Sequence, residues 1–182
     1  MQTNVIIVDE FYNNVDSVRE YALAQPFDLK GNFPGARTKP YLPDDLKASI
    51  QYIMRNAGGD ITSWIEDAGF TGTFQICTAF DRTWIHADNF NTWAGVCYLT
   101  PDAPLSAGTA LYRHKATGEF QRKESYHEGY DYTKWDMVDY IANRYNRLVL
   151  YRGNLFHAST NYFGDSQQTG RLFQTFFFNT QF

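Results

Sequence analysis

The sequence predicts an α+β domain, helices first and strands second, whose sheet part is a sandwich or distorted barrel. Three observations carry this. Helical apolar spacing recurs before residue 72, and the pattern shortens to strand-length runs from residue 73. Aromatic residues make up 18% of the 182-residue chain, with 15 Phe and 13 Tyr, a composition that fits half-buried pleated sheets. A single domain over 1–182 is expected, with 1–72 a helical support region and 73–182 the β core.

Taken in order, "NVIIVDEFY" (4–12) reads as a short strand. In "NNVDSVREYALAQ", Asn14 or Asp16 can cap a helix carrying Val15, Val18, Ala22 and Leu23 on one side. "GNFPGARTKPYLP" (31–43) is a Gly/Pro-punctuated loop, and its Arg37 is a substrate or structural contact. "PDDLKASIQYIMRNAGG" predicts a second helix, opened by Pro43 and the Asp44-Asp45 pair and closed by Gly58-Gly59. "ITSWIEDAG" is expected to form a short helical turn. Five strand-length runs follow: "TFQICTAF", "WAGVCYLT", "GTALYRHK", "RLVLYRG" and "RLFQTFFFN". The last is apolar on both faces, which suits a strand covered by helices on one side and facing an interior on the other. A helix is predicted to interrupt the series at "TKWDMVDYIANRYN", where Trp135, Val138, Ala142 and Tyr145 have helical spacing. The polar segment 116–132 before it has the length of a lid or a surface loop.

Charge and composition narrow the function classes. A net charge of -4 without a Lys/Arg run argues against a general nucleic-acid or anionic-membrane binder. No stretch approaches the roughly 20 apolar residues of a spanning helix. The N-terminus lacks the features of a secretory signal. Cys77 and Cys97 lie in apolar runs and read as buried free thiols of a reducing compartment, so a cytoplasmic protein is expected. The sequence carries no signal of oligomeric state.

The chemistry-bearing feature is "TWIHADNFNTWAG", with His86 and Asp88 two positions apart. With 4 His and 20 acidic residues, about 0.4 His-x-acid triplets arise by chance, so the triplet alone decides nothing. In extended chain, however, residues i and i+2 share a face, so both side chains project into one space. His157 stands just beyond a later apolar strand, and Arg171 heads the last one. A guanidinium there needs an anionic partner, because burying it unpaired is costly. His114 reads as a strand-end residue and His127 as part of a solvated loop.

The ordered set "HAD…WAGVCYLT…SAGTALYRH…RLVLYRGNLFHAST…GRLFQTFFF" resembles the Fe(II)- and 2-oxoglutarate-dependent dioxygenases, particularly their prolyl-hydroxylase-like branch, over roughly residues 73–180. The resemblance implies a double-stranded β-helix, jelly-roll or cupin-like, with N-terminal helices packed on one sheet. It implies Fe(II) held by His86, Asp88 and His157 as a facial triad, with 2-oxoglutarate and O2 as cosubstrates. Hydroxylation of a substrate would accompany decarboxylation of 2-oxoglutarate to succinate and CO2. Arg171 would clamp the distal carboxylate in a two-pronged geometry, and Tyr98, in the Tyr-Leu position of its strand, would bond the same group. Thr175 and Phe177 share a strand face with Arg171 and should line the pocket floor. Some branches carry Ser two residues after the arginine, where this chain has Phe173. Relatives that halogenate have a small residue in place of the carboxylate, so Asp88 points to hydroxylation, or less often to desaturation or ring closure. The expected substrate is a small molecule or a peptide side chain. Two other readings stay open: a cupin-like metalloprotein without oxidative chemistry and a non-catalytic jelly-roll binding module.

Overall fold

The computed structural model describes residues 2–66, 71–123 and 128–181. The first part contains β1 (Val5–Val8), α1 (Val15–Leu23), β2 (Ala36–Arg37), α2 (Asp44–Arg55) and β3 (Asp60–Trp64). Then come β4 (Phe74–Cys77), β5 (Trp93–Tyr98), β6 (Thr109–His114), β7 (Trp135–Ile141), β8 (Leu148–Arg152), β9 (His157–Ser159) and β10 (Arg171–Gln181). Asn14 caps α1, its side chain accepting from the Ser17 N–H at 3.2 Å. α2 starts after Pro43 and buries Leu46, Ile50 and Met54, spaced four apart on one face.

A major sheet has the order β1-β8-β5-β10-β4-β2, with β3 also paired to β10, and a minor sheet has the order β7-β6-β9. The major sheet's ladders are antiparallel. The 1–72 region therefore supplies three strands of the major sheet besides its two helices. Both helices pack on the outer face of that sheet, where Ala22, Leu46, Ile50 and Met54 meet Phe74, Trp93, Leu150, Leu172 and Phe176. The inner face turns towards the minor sheet, and Ile141 of β7 joins its cluster with Val96, Tyr98, Val149, Tyr151 and Phe173. Cys77 and Cys97 are buried and free, and burial raises both thiol pKa values. Among the described residues, no helix is long and apolar enough to cross a membrane.

Two predicted helical segments are strands. "TKWDMVDYIANRYN" begins with a single 3-10 turn at Tyr132–Lys134 and continues as β7, antiparallel to β6. A register shift between Leu111 and Tyr112 leaves Val138 without a partner residue, so this bulged strand spaces its apolar residues much as a helix would. Trp135 and Ile141 point inward at its ends, while Met137, Val138 and Tyr140 are exposed. "ITSWIEDAG" is not a helical turn where described, because β3 adds to the end of β10 with Trp64 opposite Phe178 and their rings 5.0 Å apart. In both places a ladder to a sequence-distant strand overrides local spacing. Within 116–132, residues 124–127, including His127, lie outside the described residues.

Candidate metal centre

His86 and Asp88 lie in the extended segment between β4 and β5, and His157 opens β9. The His86 N–H donates to the His157 carbonyl at 3.0 Å, and the His157 N–H to the His86 carbonyl at 2.8 Å. This antiparallel rung extends the minor sheet beside β9 and sets the two imidazoles 4.4 Å apart. The Asp88 N–H donates to the Gly153 carbonyl at 2.8 Å, which fixes the carboxylate arm. As a result, one ligand atom from each of His86, Asp88 and His157 lies within 4.8 Å of the others.

The ring orientations are fixed as well. Nδ1 of His157 lies 2.8 Å from the Leu155 carbonyl, and Nδ1 of His86 lies 3.0 Å from the Trp84 carbonyl. A carbonyl oxygen only accepts, so each Nδ1 carries a proton and each ring leaves Nε2 as its nitrogen able to ligate. Burial, reinforced by neighbouring His86, lowers the His157 pKa to about 4 and keeps the ring neutral. The Asn91 side chain donates to Asp88 Oδ2 at 2.9 Å and to the Trp93 carbonyl at 3.0 Å, orienting the carboxylate. Gly153 makes room for it: a Cβ there would stand 2.4 Å from Asn91 Nδ2.

The three side chains line a cavity of about 500 Å³ whose floor includes Val96, Phe173, Thr175 and Phe177. Thr175 Oγ1 is 2.8 Å from Thr73 Oγ1. Arg171, at the head of β10, is fully buried. Its Nε donates to the Ala107 carbonyl at 2.9 Å and its Nη2 to the Gly108 carbonyl at 3.3 Å. Its Nη1 is buried and has no hydrogen-bond partner among the described residues. The guanidinium sits 4.3 Å from the Phe173 ring centroid, 5.2 Å from that of Tyr98 and 5.8 Å from that of Tyr162. The Tyr98 hydroxyl is 2.7 Å from Thr109 Oγ1. Five of the sequence-predicted residues, His86, Asp88, His157, Thr175 and Phe177, thus meet at the cavity surface. Arg171 and Tyr98 lie one layer deeper, behind Phe173, Tyr162 and Thr109.

Sequence reading missed Asn91 and Gly153 and left Arg37 undecided. Asn91 had a local signal, an amide three residues after Asp88. Gly153 had none, because its partner is 62 positions away in the chain.

Residues 72–178 match the model of a family of unknown function, DUF6445. The chain belongs to this family. No curated protein matches it. Among solved structures, this DUF6445 chain is similar to HygX from Streptomyces hygroscopicus with nickel, 2-oxoglutarate and hygromycin B bound. The TM-score is 0.62 at 13% identity, covering 100% of this chain and 84% of that one. HygX with iron bound gives a TM-score of 0.55 at 12% identity with the same coverage. A prolyl hydroxylase from Trichoplax adhaerens, in complex with a hypoxia inducible factor peptide fragment, gives 0.51 at 11% identity, covering 97% of this chain and 84% of that one. The DUF6445 fold here is therefore the double-stranded β-helix that the resemblance implied, and HygX and the prolyl hydroxylase share its backbone.

Proposed function

We propose that the protein is an Fe(II)- and 2-oxoglutarate-dependent dioxygenase that hydroxylates a small molecule or a peptide side chain. The observation that carries this reading is the convergence of His86, Asp88 and His157 within 4.8 Å, on an interior face that also buries an arginine with an unpartnered N–H. Two neutral imidazoles and one carboxylate are the donor set of a non-haem ferrous facial triad. His86, Asp88 and His157 would hold the metal, with the Trp84 and Leu155 carbonyls and Asn91 fixing their orientation. Arg171 Nη1, which has no hydrogen-bond partner among the described residues, would receive the distal carboxylate of 2-oxoglutarate, with Tyr98 beside it. Thr175 would border the same ligand from the floor. Bound ferrous iron would activate O2 for C–H hydroxylation, 2-oxoglutarate supplying two of the electrons and leaving as succinate and CO2. A cupin-like metal site without 2-oxoglutarate would have no use for that guanidinium.

Anaerobic addition of Fe(II) and 2-oxoglutarate is expected to give the weak visible charge-transfer absorption of the chelate. Asp88→Ala should diminish it, and Arg171→Met should weaken 2-oxoglutarate binding by about 2–5 kcal/mol. Metal binding without that absorption would overturn the reading.

A further inference from the structure

The large side chains that line the cavity differ in kind from those of the outer core. The outer core mixes its rings with aliphatic side chains such as Leu46, Ile50, Met54, Leu150 and Leu172. Among the described lining residues of the cavity there is no Leu, Ile or Met, and every apolar side chain larger than valine is aromatic. Phe33, Trp84, Phe90 and Phe177 belong to this set. Rings and aliphatic chains both exclude water. Rings add a quadrupole, which rewards an aromatic partner in offset or edge-to-face contact beyond the area buried.

Trp84 is the best placed of these rings. Trp84, His86 and Asp88 alternate along one extended segment and line the cavity, whereas Ile85 turns away into a cluster with Ala110 and Tyr112. The half-buried Trp84 ring lies 5.7 Å from the His86 ring, so a group resting on its cavity side lies beside a candidate metal ligand. Its position is fixed. The Trp84 carbonyl lies 3.0 Å from His86 Nδ1, and the Ile85 N–H donates to the Gly129 carbonyl at 2.9 Å. Gly129 permits that approach, because a Cβ there would stand 2.1 Å from the Ile85 carbonyl oxygen. The contact brings in Tyr130, whose ring braces Trp84 at 5.5 Å between centroids. The Arg82 guanidinium lies 5.5 Å from the Tyr130 centroid in turn. A ring held by its backbone and its neighbours loses little freedom when a ligand packs on it.

We propose that the substrate is a small molecule carrying an aromatic ring, and that Trp84 receives this ring beside the candidate metal ligands. The word substrate rests on the oxygenase reading; the preference for an aromatic ring does not. A volume of about 500 Å³ falls in the range of small-molecule sites. A saturated ring of the same size would gain burial from these walls but not the ring contact.

The test titrates 2-phenylethanol, 2-cyclohexylethanol and choline into the whole chain without metal, followed by NMR. 2-Phenylethanol should bind saturably, with intermolecular NOEs from its ring protons to the Trp84 indole. The two alcohols share a head and differ in the ring, so their affinity ratio isolates the ring contact. In Trp84→Leu that ratio should shift towards the saturated alcohol by about three- to tenfold, and in Trp84→Phe by less than about twofold. Tyr52→Ala, in the separate groove with Val8, Phe11 and Ile53, should leave it unchanged. In wild-type protein, failure of 2-phenylethanol to bind, or NOEs that avoid Trp84, would overturn the proposal whatever the variants do. So would an unchanged ratio in folded Trp84→Leu, an equal shift in Trp84→Phe, or a shift in Tyr52→Ala. Tighter binding of choline than of either alcohol would overturn it too, by making the walls a cation site. The chelate absorption is read separately. If the ring preference is present and the absorption never forms, the oxygenase reading fails and Trp84 stands as an aromatic-binding residue. If the absorption forms without the ring preference, this proposal alone fails.

Discussion

Strand β10 has two faces that do different work. Leu172, Phe176 and Phe178 point outward into the cluster covered by α1 and α2. Arg171, Phe173, Thr175 and Phe177 alternate with them and face the interior. On the outer face, apolar surface is removed from water and nothing polar is asked of it beyond Gln174, which donates to the Tyr41 and Gly72 carbonyls. The inner face buries a guanidinium, hydroxyls and an arginine-glutamine pair at a cost to stability. The difference teaches that one strand can separate the residues that hold the fold from those that line the candidate site.

The largest expected effect breaks the comparison most directly. Phe176→Ala should destabilise the protein by about 3–5 kcal/mol in urea unfolding, because the ring is fully buried among outer-face residues. Arg171→Met should stay within about 1 kcal/mol of wild type, or exceed it, although it too is a fully buried site on the same strand. The reason lies in the carbonyls that Arg171 satisfies. The Ala107 carbonyl also accepts from Asn143 Nδ2 at 3.1 Å, and the Gly108 carbonyl from the Thr160 N–H at 3.2 Å. Neither is orphaned by the change, and an unpartnered N–H is removed. Equal losses in the two variants would refute the division of labour.

An intermediate effect sharpens the comparison at the candidate metal centre. Asn91→Ala removes the donor that orients Asp88 while leaving all three candidate ligands in place. Metal affinity should fall by about 10- to 100-fold, measured by competition with a chromophoric chelator. An unchanged affinity would mean that the Asp88 backbone bond to Gly153 alone sets the carboxylate.

The inner face was more legible in the sequence than its connections were. Parity along an extended chain put His86 with Asp88 and Thr175 with Phe177, because alternation is a local property. β3 and β7 were misread as helical because a bulged or half-exposed strand can repeat its apolar residues every three or four positions. Only their ladders to β10 and β6 decide the outcome, and those partners lie elsewhere in the chain. Arg37 was undecidable for the same reason: its place at the cavity comes from pairing with Gln75, 38 residues on. Asn91 shows the reverse case, a local signal without meaning until the structure put its amide on the Asp88 carboxylate.

The smallest expected effect lies far from either face of β10. Asp9, just after β1, accepts from Arg147 Nε at 2.6 Å and Nη2 at 3.0 Å, and from Arg144 Nη1 at 2.8 Å. This fork joins the end of β1 to the turn before β8. The bond from Arg147 holds the Asp9 carboxyl below its ordinary value of 3.8. A depressed folded-state pKa means that the unfolded chain binds the proton more readily, so the pair's contribution is full above 3.8 and is lost as pH falls through the folded value. The carboxylate is 35% exposed, so solvent screening limits Asp9→Asn to less than about 1 kcal/mol near neutral pH. The difference between wild type and variant should shrink with added salt and vanish in acid below both pKa values. Paired urea titrations at neutral and strongly acidic pH measure it. A gap that persisted in acid would show that Asp9 acts through hydrogen-bond geometry rather than charge, and the rim would then resemble the interior more than this comparison allows.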